Sequence, residues 1–338
     1  GSKENNLAAL DMAKKSIVLL KNENSLLPIN KNGQKITLIG HLADDNNSPL
    51  GNWRGAGESN TAVTVLEGLE NYGNNSITYK KGVDLYYGET NFHNRVKLNH
   101  KDKTGFKEAK IAAKSADIVV MVLGEEGFQS GEGRSRTELG LPGLQQELLE
   151  EVFKVNKNIV LVLMNGRPLN LTWADENIPA ILETWHLGTQ SGNAIAEVLY
   201  GNYNPSGKLT MSFPRNVGQV PLYYNYKKTG RPGASSAEVT KSTYADVENS
   251  PLYPFGYGLS YTSFSYSDFS LSSKEITRDD TIIASVKITN TGKVKGKEVV
   301  QMYIRDHYGS LARPVKELKG FELLELNPGE TKEVSFEI

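Results

Sequence analysis

A charged loop holds the residues of this sequence that are best suited to chemistry. It presents the glutamates Glu125, Glu126 and Glu132 and the arginines Arg134 and Arg136. Carboxyl groups transfer protons and accept hydrogen bonds from hydroxyl groups, with a pKa that depends on burial and on nearby charge. The loop has roughly eighteen residues, whereas strand-to-helix loops usually have two to six, and such long loops are commonly functional. We therefore predict that this loop carries the functional site.

The segments on either side of the loop indicate where it sits. Residues 118–123 are six consecutive apolar residues rich in Val, which predicts a strand buried on both faces of a parallel sheet. After Pro142 and Gly143, apolar residues recur at helical spacing, which predicts a helix over 144–155 that packs on that sheet. Open α/β sheets place ligands at the carboxyl ends of their strands, so the loop leaves the sheet at the expected edge.

Composition and spacing argue against several other kinds of site. Lys+Arg (38) and Asp+Glu (39) nearly balance, so no charge excess favours nucleic acid or an anionic membrane as partner. There is no cysteine, the five histidines lack metal-ligand spacing, and no apolar run is long enough to span a bilayer. The glycines at positions 124–133 lack the Gly-x-Gly-x-x-Gly spacing of a dinucleotide site. We expect no metal and no cofactor.

Most of the chain alternates between predicted strands and helices. This alternation predicts one α/β domain with a mostly parallel sheet over residues 4–214. The predicted strands are residues 35–40, 76–81, 117–125, 158–164 and 180–185, and the predicted helices are 5–15, 63–71, 106–115, 144–155 and 192–199. The pattern lapses over residues 215–261, which predicts a long irregular linker.

The C-terminal residues 262–338 have a different periodicity. Apolar residues alternate with a period of two, and turns at 290–292 and 327–329 separate short segments. Short strands with regular turns predict an all-β antiparallel sandwich, here of about five strands. About 77 residues is short for such a fold, which usually has roughly 100. We therefore expect this module to be incomplete at its C-terminus.

Many motifs in this sequence resemble one known family in the same order. The resemblance is to the C-terminal half of glycoside hydrolase family 3, close to the periplasmic bacterial β-glucosidases. The matching stretches are Ser16-Ile-Val-Leu-Leu-Lys-Asn-Glu-Asn24, Gly51-Asn-Trp53, Gly131-Glu-Gly-Arg-Ser-Arg-Thr137, Val162-Leu-Met-Asn-Gly-Arg-Pro168, Leu182-Glu-Thr-Trp185, Gly192-Asn-Ala-Ile-Ala196, Asn204-Pro-Ser-Gly-Lys208 and Tyr253-Pro-Phe-Gly-Tyr-Gly-Leu-Ser-Tyr261.

The resemblance implies an architecture and an activity. Such enzymes have an N-terminal (β/α)8 barrel that carries a nucleophilic aspartate, then an (α/β)6 sandwich that lends the acid/base glutamate, then a fibronectin type III-like module. The barrel would be this chain's partner within the same protein. The implied function is that of a retaining β-glucosidase, periplasmic or secreted, acting on terminal β-D-glucosyl residues of glucosides or oligosaccharides. The fragment alone is expected to be inactive.

The resemblance also implies roles for particular residues. The family motif places the general acid/base on Glu132, which without the motif reads as an exposed loop glutamate. Glu125 is a candidate for a sugar-hydroxyl contact, and Trp53 either stacks on a sugar ring or packs beneath its loop. We favour structural roles for Arg134 and Arg136, because a guanidinium touching Glu132 would lower its pKa and oppose proton donation.

Two alternatives stay open. One is a stand-alone carbohydrate-binding or scaffolding module with no catalytic role. The other keeps the enzyme but changes the sugar, to that of a β-xylosidase or an N-acetylglucosaminidase of the same family.

Overall fold

The computed structural model describes residues 1–233, 239–277 and 279–338, which form two compact units. The first unit comprises residues 1–203 and 213–220, and the second comprises residues 204–212 and 221–338. The helices of the first unit are α1 (Lys3–Ser16), α2 (Val65–Tyr72), α3 (Phe106–Lys114), α4 (Gln145–Phe153), α5 (Thr172–Asn177) and α6 (Ser191–Leu199). Its strands are β1 (Val18–Asn22), β2 (Asn32–Ile39), β3 (Asn74–Lys80), β4 (Tyr86–Tyr87), β5 (Lys97–Leu98), β6 (Ile118–Gly124), β7 (Ile159–Met164) and β8 (Ala180–Glu183).

The main sheet of the first unit has six strands in the order β1-β8-β7-β6-β2-β3. Five of them run parallel to one another, and β1 pairs antiparallel with β8. Every residue of β6 and β7 is buried, as expected for central strands covered by helices on both faces. The predicted α/β fold with a mostly parallel sheet is confirmed.

Two helices of this unit approach each other through glycines. A Cβ atom on Gly192 of α6 would lie 1.8 Å from the carbonyl oxygen of Thr64, and one on Gly68 of α2 would lie 2.1 Å from the carbonyl oxygen of Gly192. Thr64 also caps α2 in a reciprocal capping box with Glu67. The close contact between α2 and α6 therefore requires the absence of side chains at both glycines.

Glycines also mark the points where the chain leaves the sheet. Gly40 follows β2 with φ +129°, and Gly124 ends β6 with φ +145°. A Cβ atom on Gly40 would lie 2.1 Å from the carbonyl oxygen of Val122, and one on Gly124 would lie 2.0 Å from that of Met164. Since β2, β6, β7 and β8 are parallel neighbours, the loops that follow them leave the same edge of the sheet side by side.

The strands of the second unit all lie within residues 262–338, the part of the chain predicted to be all-β. Its strands are β9 (Phe264–Leu271), β10 (Ile283–Asn290), β11 (Gly296–Ile304), β12 (Glu317–Leu326) and β13 (Thr331–Glu337). They form antiparallel sheets in the orders β13-β10-β9 and β11-β12. The buried core between them consists of Ile288, Val300, Leu324, Leu326 and Val334.

Between α6 and β9, the described residues form a 3₁₀ turn at Val217–Gln219 and isolated bridges but no longer element. Residues 234–238 of the predicted linker lie outside the described residues. In the described part of the chain, no helix combines the length and apolar character needed to cross a membrane.

Candidate active site

The predicted loop follows β6 directly, and of the glutamates Glu125, Glu126 and Glu132 it presents only Glu132 to solvent. Gly131 has φ +109° and Gly133 has φ +68°, conformations that L side chains rarely adopt. Glu132 lies between them and is exposed. The two glycines thus form a turn on which the Glu132 side chain is exposed to solvent.

Glu125, the first residue after β6, is fully buried and paired with two arginines. Its Oε1 atom lies 2.8 Å from Nη1 of Arg136 and 3.0 Å from Nε of Arg167. Its Oε2 atom also accepts hydrogen bonds from Nε of Arg167 at 3.2 Å and from the backbone N–H of Gly166 at 3.4 Å. The structure therefore places this carboxylate inside an ion-pair network and not on an open surface.

Glu126 closes the first turn of the loop. Its Oε2 atom accepts the backbone N–H of Phe128 at 2.7 Å, and its own N–H donates to the Gln129 side chain at 2.8 Å. The side chain is buried, and burial raises its pKa against the opposing effect of hydrogen bonds from Thr90 and Phe128. Glu126 thus acts as the cap of a short 3₁₀ turn at Gly127–Gln129.

Trp53 lies in the loop after β2, and 67% of its surface is exposed. Its ring makes an edge contact with Phe92, with the centroids 6.0 Å apart. The carbonyl oxygen of Phe92 accepts a hydrogen bond from Nη2 of Arg134. Most of the indole surface is thus exposed, and the ring is not packed beneath its loop.

The Trp53 loop packs directly against the turn that holds Glu132. Nδ2 of Asn52 donates to the carbonyl oxygen of Ser130, and a Cβ atom on Gly131 would lie 2.2 Å from that same Nδ2. Arg54, the residue after Trp53, lines an open polar cleft of about 600 Å³ together with Asp45, Tyr86, Thr90 and other residues. An exposed acid, an exposed indole and a polar cleft therefore lie on neighbouring loops of one unit.

A buried polar network behind the loop was not predicted from the sequence. Glu183, at the end of β8, is fully buried and accepts hydrogen bonds from Nδ2 of Asn165 at 3.1 and 3.2 Å and from the backbone N–H of Trp185 at 2.9 Å. Burial raises the pKa of Glu183 to about 8, because the hydrogen bonds from Trp185 and Asn165 only partly offset desolvation. This carboxyl group is therefore neutral at pH 7.

His186 joins the same network from the end of β8. Its Nε2 atom lies 3.2 Å from the carbonyl oxygen of Glu125, and burial lowers its pKa. The signal that could have revealed this network is the series of polar residues at the carboxyl ends of adjacent buried strands, at Glu125, Asn165 and Glu183. Among residues 1–233, 239–277 and 279–338, no cluster of three or more His, Asp or Glu side chains could hold a metal ion.

Fold and site together define a class of protein. Residues 17–261 match the glycosyl hydrolase family 3 C-terminal domain, and residues 298–338 match the fibronectin type III-like domain. The first match covers more than half of the chain. The chain therefore belongs to glycoside hydrolase family 3, and the family resemblance of its motifs is confirmed.

Particular relatives cover the whole chain. It is 48% identical over 340 residues to the periplasmic β-glucosidase of Salmonella typhimurium, a match that covers 98% of this chain and 44% of the relative. A β-xylosidase of Formosa agariphila is 44% identical, with 100% of this chain and 45% of the relative covered. A crystal structure of a β-glucosidase from Listeria innocua in complex with glucose superposes with a TM-score of 0.90 at 37% identity, covering 100% of this chain and 45% of that one. The chain thus spans less than half the length of these relatives.

Proposed function

We propose that this chain supplies Glu132 as the general acid/base of a retaining β-glucosidase whose nucleophile lies on a domain outside residues 1–338. The observation that carries the proposal is the contrast among Glu125, Glu126 and Glu132. Glu125 and Glu126 are buried and engaged by neighbouring groups, whereas Glu132 is exposed on a turn between two glycines. Of these three carboxyl groups, only that of Glu132 is exposed and can reach a sugar held partly by another domain.

The chemistry requires two carboxyl groups on opposite sides of the scissile bond. In retaining hydrolysis one attacks the anomeric carbon, and the other protonates the leaving oxygen and then activates water; the two groups lie about 5–5.5 Å apart. We assign the second role to Glu132 and the first to an aspartate on an N-terminal (β/α)8 barrel. The exposed Trp53 indole is proposed to stack on a sugar ring near that acid.

Glu125 is better suited to an indirect role than to the sugar contact expected from its position in the sequence. Its two carboxylate oxygens are occupied by Arg136, Arg167 and Gly166, and its side chain has no exposed surface. A hydroxyl group of a sugar would have to displace one of these partners. We therefore propose that Glu125 shapes the loop instead of binding substrate.

A β-D-glucoside is the proposed substrate, with a β-D-xyloside as second candidate. Glucosidases and a xylosidase both occur among relatives that cover nearly all of this chain. Location in the periplasm or outside the cell is proposed from the Salmonella relative, whose name includes that compartment.

The proposal can be tested in a chimera. The 338-residue chain would replace the matching segment of the Salmonella β-glucosidase, and the isolated chain would serve as the inactive baseline. Comparing aryl β-glucosides with aryl β-xylosides then identifies the preferred sugar. The key variant is Glu132→Ala, and the matched control is Glu138→Ala, which removes another exposed glutamate of the same loop.

The expected result depends on the leaving group. Glu132→Ala should lower glycosylation about 10²- to 10⁴-fold for an alkyl glucoside, which needs protonation, but far less for a dinitrophenyl glucoside, which does not. Added azide should restore turnover of the dinitrophenyl substrate, because azide attacks the glycosyl-enzyme without a general base. Equal losses on both substrates, or the same pattern in Glu138→Ala, would refute the assignment.

A further inference from the structure

We infer that Glu125, Arg136 and Arg167 form a positioning unit that fixes the turn bearing Glu132. The catalytic consequence of this inference rests on the proposed function, but its structural part does not. The three residues come from different places in the chain: Glu125 follows β6, Arg167 follows β7, and Arg136 lies four residues beyond Glu132.

Each arginine links the Glu125 carboxylate to the backbone on one side of the turn. Nη2 of Arg167 donates to the carbonyl oxygen of Gln129, which precedes the turn. Nη2 of Arg136 donates to the carbonyl oxygen of Gly140, which follows it, at 3.1 Å. The segment between Gln129 and Gly140 is thus fastened at both ends to one buried carboxylate.

The geometry uses a property that only arginine has. Each guanidinium group binds the carboxylate with one nitrogen and a backbone carbonyl group with another, so its planar fork sets the direction as well as the distance of the contact. A lysine at either position has a single ammonium group, which is less able to hold both acceptors in fixed positions. The unit therefore depends on the shape of the arginines and not only on their charge.

Burial makes this unit more costly to break than an ordinary surface ion pair. Glu125 has no exposed side-chain surface, and 19% of each arginine side chain is exposed. Exposed ion pairs contribute little, whereas removing one partner of a buried pair is strongly destabilising because a charge is left uncompensated. The other groups that face Glu125 are the His186 ring, 3.2 Å from its carbonyl oxygen, and Glu183, which is neutral at pH 7. Neither neutral group competes with the Glu125 carboxylate for the two guanidinium charges.

Positioning matters because an acid must sit close to the oxygen that it protonates. A displacement of about 1 Å can cost about 10²-fold in rate. Glu132 itself is exposed and lies between two glycines, so its own turn has little intrinsic rigidity. The ion-paired ends on either side supply the rigidity that the glycines lack.

The first experiment uses the 338-residue chain and needs no catalytic activity. Limited trypsin digestion, followed by mass spectrometry, measures cleavage after Arg134, a site of the same segment that is unchanged in the wild type, Glu125→Gln and Arg136→Lys. The control is Lys14→Gln, which removes an ion pair of similar length between α1 and α6. In this pair Nζ of Lys14 lies 2.8 Å from Oε2 of Glu197, and 19% and 14% of the two side chains are exposed. Cleavage tracks opening of the segment, so both loop variants should be cut at least about tenfold faster and the control should not.

The second experiment measures catalysis in the chimera. Glu125→Gln and Arg136→Lys should lower kcat for the alkyl glucoside about 10- to 10²-fold while changing KM little, and should affect the dinitrophenyl glucoside much less. A purely structural loss would lower the amount of active enzyme and so reduce both rates equally. Arg136→Lys retains a positive charge and is the deciding variant if Glu125→Gln does not fold.

The two experiments separate the inference from the function on which it builds. The positioning inference is overturned if trypsin cuts Arg136→Lys no faster than Lys14→Gln. It is also overturned if Arg136→Lys lowers the rates on the alkyl and dinitrophenyl glucosides equally, in a chimera where Glu132→Ala shows the leaving-group effect. If Glu132→Ala itself lacks that effect, the proposed function fails, and the trypsin result alone decides whether the unit fixes the loop.

Discussion

Glu183 should make the stability of the first unit fall as pH rises, and Glu183→Gln should remove this contribution to the pH dependence. The folded state raises the pKa of this buried carboxyl group from an ordinary 4.5 to about 8. Between these two values the folded chain keeps the proton and the unfolded chain loses it. The folded state therefore binds more protons, and its stability falls as pH rises. The stabilising contribution is complete below pH 4.5 and is lost as pH rises through 8.

The size of this change in the free energy of unfolding follows from the interval between the two pKa values. Each pH unit inside it is worth about 1.4 kcal/mol, so Glu183 should reduce the free energy of unfolding by about 3.5 kcal/mol between pH 5 and pH 8. Glutamine keeps the size of the side chain and an oxygen that can accept the Trp185 N–H. Any pH-independent effect of the substitution on the free energy of unfolding cancels, because the prediction concerns only how this free energy changes with pH.

The assay is denaturant unfolding followed by tryptophan fluorescence. All three tryptophans of the sequence, Trp53, Trp173 and Trp185, lie in the first unit, so fluorescence reports on that unit alone. Unfolding curves at pH 5, 6, 7 and 8 would be compared for the wild type, Glu183→Gln and Glu23→Gln, a control that changes a glutamate whose side chain is 58% exposed. If Glu183→Gln keeps the same slope with pH as the wild type, Glu183 is already ionised in the folded chain and the reasoning is wrong.

Three further outcomes are expected from the structure. Gly192→Ala should destabilise the first unit by about 3 kcal/mol or more, because its Cβ would lie 1.8 Å from the Thr64 carbonyl oxygen. Gly140→Ala places its Cβ in open space and should destabilise far less. Denaturation midpoints of the two variants check this prediction. Burial lowers the pKa of His186, so its ring should stay neutral below pH 6.5 in the folded chain while it takes a proton in the unfolded chain. The free energy of unfolding should therefore decrease as pH drops below 6.5. NMR titration of the ring protons measures the protonation of His186 directly. Trp53→Ala should change stability by less than about 0.5 kcal/mol, because the side chain is 67% exposed, while weakening glucoside binding to the chimera; unchanged binding would remove Trp53 from the proposed site.

Several parts of the fold could be predicted because their signal is local. The six apolar residues of β6 predict a buried strand wherever they occur, and the structure places them at the centre of the sheet. The direction of β1 could not be predicted, because an apolar run does not encode whether its neighbour is parallel or antiparallel. The helix α5 was missed because six residues are too few to show a helical period.

The candidate site likewise has parts that could be predicted from the sequence and parts that could not. The position of Glu132 between Gly131 and Gly133 could be read directly, since glycines on both sides of a charged residue indicate a turn. The arginine that completes the Glu125 network could not, because Arg167 follows a different strand and meets Glu125 only once β6 and β7 are paired. Glu183 likewise reads as an ordinary strand-end acid, and only its burial in the folded sheet changes its protonation.

The antiparallel pairing of β1 has a consequence for how the protein is made. Val18 of β1 pairs with Glu183 of β8, so β1 has its partner only after β2 to β7 and the segments between them have also been synthesised. Contacts between such distant positions form late and slow the search for the native topology. The apolar residues Val18, Leu19 and Leu20 therefore stay unpaired until β8 has been synthesised, and a molecular chaperone could bind them in the nascent chain during that time.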